Sequence, residues 1–143
     1  MVYLFLISQW LWTRHGLKSG TSEMELAYSR WRDADPATDL LRVQVVTSLV
    51  ALDTGVSSRE IIAATRAAAP AARARQIAMY LAHVCFAWPL ARVGLAFGRD
   101  RTTASHACHL IEDMRDDKIF DTRLNELEAC LRAAPERPRG PAR

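Results

Sequence analysis

Residues 98 to 109 read Gly-Arg-Asp-Arg-Thr-Thr-Ala-Ser-His-Ala-Cys-His, which places a turn residue, a capping carboxylate and a row of short hydrogen-bonding side chains in one run. Gly98 can take the left-handed backbone that closes a helix ending at Phe97, and Asp100 can then cap the helix that follows. With Asp100 as N-cap, Arg101, Thr102, Thr103 and His106 point outward from the first turns. Ala104, Ala107, Cys108, Ile111 and Met114 form the inward stripe. Short donors and acceptors at the exposed start of a helix are what base-edge reading in a DNA major groove requires. A carboxylate accepts from a cytosine amino group and a threonine methyl packs on a thymine methyl. An arginine can hold a guanine edge in a bidentate pair giving about 1–3 kcal/mol of discrimination. The candidate base-reading set is therefore Asp100, Arg101, Thr102, Thr103 and His106. A plainer reading stays open beside it, in which Asp100 and Thr103 only cap their helix and His106 is a solvated surface residue.

The elements that must position this helix are themselves helical. Leu40, Leu41, Val43, Val45, Val46, Leu49, Val50 and Leu52 predict a helix over about 37–53, apolar around much of its circumference and hence largely buried, with Gly55 ending it. Ser57 or Ser58 should cap a second helix with Ile61 and Ile62 inward, running through an alanine-rich stretch to a stop at Pro70. Ile77, Leu81, Val84 and Cys85 mark a third, broken at Trp88-Pro89. Leu90 to Phe97 is the first helix of the helix-turn-helix, with Leu90, Val93 and Phe97 inward and Gly94 allowing close approach. A last helix over about 121–133 carries Leu124, Leu127 and Leu131. No strand pattern and no repeat is evident, so the fold class is all-α, a helical bundle containing a helix-turn-helix. The predicted organisation is an N-terminal extension over 1–36, the helix-turn-helix domain over 37–133 and a disordered basic tail over 134–143.

Charge is segregated along the 143 residues. Residues 1–58 are nearly balanced, 59–110 hold seven basic against two acidic residues, 111–131 hold three against seven, and 132–143 hold four against one. The basic block coincides with the candidate reading helix, where positive charge favours a phosphate backbone, and the acidic block should face away from it. Glu112 to Asp121 read as a solvated helix face. Half the residues are apolar, enough for a core without disulfide or metal. Cys85, Cys108 and Cys130 form no C-x-x-C pair and read as reduced core thiols of a cytoplasmic protein. His106, Cys108 and His109 lie on one helix at spacings that do not converge three ligands, so no metal is expected.

Met1 to Trp12 is almost wholly apolar, yet short of the roughly 20 residues that span a bilayer. It also lacks the basic start of a secretion signal. It is read as a mis-assigned start ahead of Met24 or as a disordered extension, with no membrane association. No G-x-x-x-x-G-K-[ST] phosphate loop and no catalytic constellation are present. The reading is a non-enzyme without cofactor or nucleotide.

The run Phe97-Gly-Arg-Asp-Arg-Thr-Thr-Ala-Ser-His-Ala107 resembles the signature F-G-(G)-R-D-H-T-T-V-x-H-A of the C-terminal DNA-binding domain, domain IV, of the bacterial replication initiator DnaA. The similarity continues upstream through Arg75-Gln-Ile-Ala-Met-Tyr-Leu-Ala82 and Val93-Gly-Leu-Ala-Phe97, and covers about residues 40 to 131. It implies a DnaA domain IV-like, Trp-repressor-like bundle in which the positions from Asp100 to His106 read bases. It further implies DNA-backbone contacts by Arg66, Arg73, Arg75, Arg99 and His109. Several positions depart from the family pattern. Arg101 stands where the family has histidine, His83 where it has lysine and Ala91 where it has proline. The basic loop that enters the minor groove corresponds here to Arg66-Ala-Ala-Ala-Pro-Ala-Ala72, with one arginine left. Each missing phosphate ligand lowers affinity and salt slope together.

The function implied is binding of double-stranded DNA with sequence preference, regulating chromosome replication initiation or transcription, by a chain too short to hold an initiator's ATPase module. The alternative is a protein-interaction regulator that acts on the replication initiator or its control factors, with weak or no DNA binding.

Overall fold

The computed structural model describes residues 35–64 and 68–134. All the regular structure among them is helical, in six elements: α1 (Pro36–Thr54), α2 (Ser58–Ile62), α3 (Ala69–Cys85), α4 (Leu90–Ala96), α5 (Arg101–Met114) and α6 (Lys118–Ala133). No helix among the described residues is long and apolar enough to cross a membrane. The expectations for residues 1–34, for Arg66 and for the tail from Pro135 lie outside the described residues.

Short-range chemistry sets most helix ends. Asp35 accepts from the Ala37 N–H to start α1, with Pro36 in its first turn, and Gly55 ends it at a φ of 75°. Ser57 and Glu60 form a reciprocal capping box at α2. Asp117 accepts from the Ile119 and Phe120 N–H groups, so α6 begins at Lys118, three residues before the predicted start.

Pro70 does the opposite of what its position suggests in the sequence. It opens α3 instead of terminating α2, because a missing N–H costs nothing in a helix's first turn, where that group has no intrahelical acceptor. The second helix accordingly ends at Ile62, and Arg73 and Arg75 lie well inside α3.

Helix α3 is the centre of the bundle. Nine of its residues between Ala71 and Ala82 are buried, and α1, α2, α4, α5 and α6 all pack against it. Val43, Val46 and Val50 of α1, Ile61 of α2, Val93 of α4, Ala104, Ala107 and Ile111 of α5, and Leu124, Leu127 and Leu131 of α6 complete the core with Trp88 and Phe97. Helix α1 is not buried all round: Leu40, Leu41, Val45 and Leu52 are exposed, since the core takes only one of its faces. Ile62 is also exposed and Leu90 only half-buried. Cys85 and Cys108 are half-buried, with burial pushing each thiol up to about 12, whereas Cys130 is exposed and is not a core thiol.

A polar latch joins α1 to α4. Arg92 donates from Nε and Nη2 to the two carboxylate oxygens of Asp39 at 2.9 and 2.6 Å, and its guanidinium lies 4.6 Å from the centre of the buried Trp88 ring. This latch sets the direction from which the first helix of the helix-turn-helix arrives.

Candidate nucleic-acid interface

Two glycines and one carboxylate place α5. Gly98 takes a φ of 64°, the left-handed turn that ends α4. Gly94 is required for a different reason: a Cβ there would sit 2.8 Å from the Arg99 carbonyl oxygen and 2.9 Å from the Asp100 carbonyl. The Gly94 carbonyl in turn accepts from the Arg99 N–H at 2.7 Å. The α4–α5 turn is thus held by direct backbone contact. Asp100 adopts extended backbone and its Oδ1 accepts from the Thr103 N–H at 2.6 Å, capping α5 as the sequence predicts. That backbone hydrogen bond, with a further one from the Thr103 side chain, holds the Asp100 carboxyl below the usual carboxylate range.

The structure brings the five candidate base-reading residues to one end of one helix. Asp100, Arg101, Thr102, Thr103 and His106 are all exposed, while Ala104, Ala107 and Ile111 on the other face are buried and Cys108 and Met114 are half-buried. The side chains of Arg101, Thr102 and His106 make no hydrogen bond or ion pair among the described residues. His109, one turn beyond His106, is exposed on the same face.

The candidate backbone residues are arranged less uniformly. Arg75 is only 9% exposed: its Nε donates to the Ile61 carbonyl at 2.6 Å, and its Nη2 donates to the carbonyls of Glu60 and Ala63 at 3.2 and 2.9 Å. Arg99 donates from Nη2 to the same Ala63 carbonyl at 2.7 Å and from Nη1 to that of Ala64 at 3.2 Å. Two guanidinium groups therefore share the task of satisfying the carbonyls at and beyond the end of α2, where the helix has no further N–H groups to offer them. Burial, and then the neighbouring Arg99 charge, pull the Arg75 pKa below its ordinary value. Arg73 is half-buried and donates to Gln76 Oε1 at 3.1 Å within α3. His83, in the family's lysine position, places Nδ1 2.6 Å from the Trp88 carbonyl oxygen, and burial lowers its pKa.

Sequence reasoning missed the group that fixes the far end of α5. Arg115, just past the helix, is 6% exposed and donates to Asp121 Oδ1 at 2.6 Å, Glu128 Oε1 at 2.7 Å, the Tyr80 hydroxyl at 2.8 Å and Asn125 Oδ1. The Tyr80 hydroxyl donates in turn to Glu112 Oε2 at 3.1 Å. Burial works against the Arg115 charge, but Tyr80, Asp121 and Glu128 outweigh it and raise the pKa further. Only Asp113 and Asp116 of the acidic run are the solvated face expected; Asp117 caps α6, and Glu112 and Asp121 have internal partners. Nothing in the local sequence pattern marks Arg115, because its partners lie on α3 and α6 and meet only once those helices have packed.

Residues 43–111, from α1 through the third turn of α5, match the family model of the bacterial DnaA protein helix-turn-helix. That segment thus carries a DnaA-type helix-turn-helix. Among curated proteins, the chromosomal replication initiator protein DnaA of Symbiobacterium thermophilum is 44% identical over 61 residues, which is 41% of this chain and 13% of that protein. The chain thus spans a small part of that relative's length. A solved structure, described as that of a DNA replication initiation factor, superposes with a TM-score of 0.59 at 27% identity, covering 66% of this chain and 29% of the other. The DnaA-type fold and the helix-turn-helix expected from the sequence are both present. Helix α6, with the Arg115 network it closes, lies beyond the matched segment.

Proposed function

We propose that this DnaA-type domain binds double-stranded DNA with sequence preference and acts in regulating chromosome replication initiation or transcription. The observation that carries the reading is the partition of α5. Its first turns present Arg101, Thr102, Thr103 and His106 to solvent on a helix rigidly placed by the Gly94–Arg99 contact, and its last turn is acidic. In this reading the N-terminal half of α5 enters the major groove, with Asp100, Arg101, Thr102, Thr103 and His106 on base edges. Phosphates are met by Arg73, Arg99 and His109, together with Arg66 and the outward edge of Arg75. Asp113 and the acidic residues after it keep the C-terminal half out of the groove by repulsion from phosphate. The domain is non-enzymatic in this reading and works in the cytoplasm. It needs no cofactor or nucleotide.

Selection of bound duplexes from a random pool, followed by titration of the selected and scrambled sequences, tests it. Enrichment of one motif, and its loss on changing Thr102 and Thr103 together to Ala, is the expected result; equal affinity for all duplexes would overturn the base-reading roles.

A second reading is favoured by one observation: the guanidinium groups of Arg75 and Arg99 are held by carbonyls of their own domain. Fewer phosphate contacts mean weaker binding, and a domain with little DNA affinity could act on the replication initiator or its control factors as a protein partner. A Thr102→Ala, Thr103→Ala variant that stays folded, binds no duplex and retains full activity in cells would favour this reading over the first.

A further inference from the structure

Five described arginines lie in the basic block between residues 63 and 110, and the fold holds four of them. Arg73 is bonded to Gln76, Arg75 to three carbonyls at the end of α2, Arg92 to Asp39, and Arg99 to the carbonyls of Ala63 and Ala64. Arg101 is the exception. It is exposed, and its guanidinium has no hydrogen bond or ion pair among the described residues. Helix stability does not account for it either. As the first residue of α5 it sits at the positive end of the helix dipole, where a cation is unfavourable.

The surroundings narrow what such a cation can serve. The backbone under it is fixed, because the Gly94 carbonyl holds the Arg99 N–H and the Arg99 side chain is tied to the end of α2. Asp100, immediately before it, carries a carboxylate that repels phosphate. That carboxylate and Thr103 are bonded to each other, so both are held in place by the cap. Behind them Thr102, His106 and His109 are exposed and follow at spacings of four and three, which aligns them along the helix with no acidic group in line before Asp113. Arg101 therefore stands at the leading end of a non-acidic stripe, with a guanidinium free to turn toward whatever the stripe faces. In a major groove, two parallel N–H groups need two acceptors on one base. Guanine alone offers them, at N7 and O6; adenine sets a donor beside its N7, and thymine has one acceptor.

We infer that Arg101 is the specificity-determining residue of α5 and that it selects a guanine, donating two hydrogen bonds to N7 and O6. This rests on the DNA-binding reading and deepens it. The preferred duplex carries one guanine whose identity Arg101 sets, while ligands of the phosphate backbone set only how tightly any duplex is held.

Selection from a random duplex pool with the full chain, repeated with Arg101→Ala, is the test. The intact chain should enrich a motif with one invariant guanine, and the variant should enrich the same motif with that position degenerate. Discrimination against the other bases there should fall from about 5- to 150-fold to below about twofold. Replacing that guanine by 7-deazaguanine, which pairs normally and lacks the N7 acceptor, should weaken the intact chain about threefold or more and leave Arg101→Ala unaffected. The circular dichroism spectrum should not change and the melting temperature should hold or rise, since the guanidinium touches nothing in the fold. A motif without an invariant guanine overturns the assignment, as does a guanine that Arg101→Ala still selects or an intact chain indifferent to 7-deazaguanine. An equal loss on selected and scrambled duplexes, with the motif kept, also overturns it and makes Arg101 a phosphate ligand. Each of these leaves the DNA-binding reading standing. Absence of any motif, or of duplex binding, overturns that reading and this assignment with it.

Discussion

The two ends of α5 carry similar numbers of polar residues and use them in opposite ways. At the N-terminal end the side chains of Arg101, Thr102 and His106 face solvent with no partner among the described residues, and the committed groups are the Asp100 carboxylate that caps the helix and the Thr103 side chain bonded to it. At the C-terminal end Arg115 is buried and bonded to four side chains drawn from α3 and α6. Polar groups satisfied inside the fold stabilise or specify it, and polar groups left available on a rigid scaffold are those that can serve a ligand. On the proposed function, stability lies at one end of the helix and recognition at the other. Each assignment can be broken separately.

The largest effect is expected at the buried end. Changing Arg115 to Met leaves Glu128, only 2% exposed, without its main counter-charge, and removing one partner of a buried pair costs about 3–5 kcal/mol. Urea unfolding should show that loss. Replacing Glu128 by Leu in the same chain should recover part of it, because the stranded charge is gone; a double variant worse than the single would show that the pair is held for more than its charge balance.

Gly94→Ala comes next and acts on the turn that joins the two functions. Its Cβ meets backbone atoms of Arg99 and Asp100, not a side chain that can swing aside, so the strain falls on the α4–α5 angle. A loss of about 1–3 kcal/mol in stability is expected, together with a loss of duplex affinity larger than any single phosphate ligand supplies. Unchanged affinity in a destabilised variant would show that the angle between the two helices is not what binding depends on.

Ala at Thr102 or His106 should do the reverse of Arg115→Met. Stability should stay within about 0.5 kcal/mol, as for exposed positions generally, while discrimination between selected and scrambled duplexes falls by about 1–3 kcal/mol for each base edge that is no longer read. Equal losses on both duplexes would move these residues from reading to simple attraction.

The smallest effect is a pH dependence at Asp100. Its carboxyl is held below the ordinary range in the folded state by the Thr103 hydrogen bonds, so its contribution is present above the unfolded carboxyl pKa, about 3.9, and is lost as pH falls through the folded value. Asp100→Asn keeps an acceptor for the Thr103 N–H and should remove that acid-side slope while preserving helicity of α5. A variant with the same acid slope as the parent would place the titration elsewhere.

Much of this protein is legible in its sequence, and the legible part has one physical character. Ser57 and Asp100 cap helices through hydrogen bonds that reach no further than three residues, and Gly55 and Gly98 end helices through their own backbone freedom; Asp35 and Asp117 cap in the same short-range way, though neither is among the predicted caps. Apolar spacing of three and four residues is equally local, and it marks the inward face of α5 correctly. The resemblance to DnaA rests on the same short windows, which is why the helix-turn-helix and the position of its second helix can be read from the amino acids directly. Where a local rule has two uses, the sequence does not choose between them: a proline stops a helix or starts one, and Pro70 starts α3 because the chain of α2 has already ended.

What tertiary structure alone decided is which long side chains turn inward and how much of each helix the core covers. Arg75 has the composition of a phosphate ligand, yet three carbonyls at the end of α2, twelve to fifteen residues away, claim its guanidinium. Arg115 sits in a run that reads as solvated, yet Tyr80 and Glu128 reach it from 35 and 13 residues away. Asp39 and Arg92 pair across 53 residues. Helix α1 looks buried all round from its composition, but a bundle of this size offers it one neighbouring surface, and the second apolar face is left outside. Such outcomes depend on how far a flexible cation can reach once the backbone has brought distant carbonyls and carboxylates together, and on how many faces a small core can cover. Neither quantity is written in any local window of the chain.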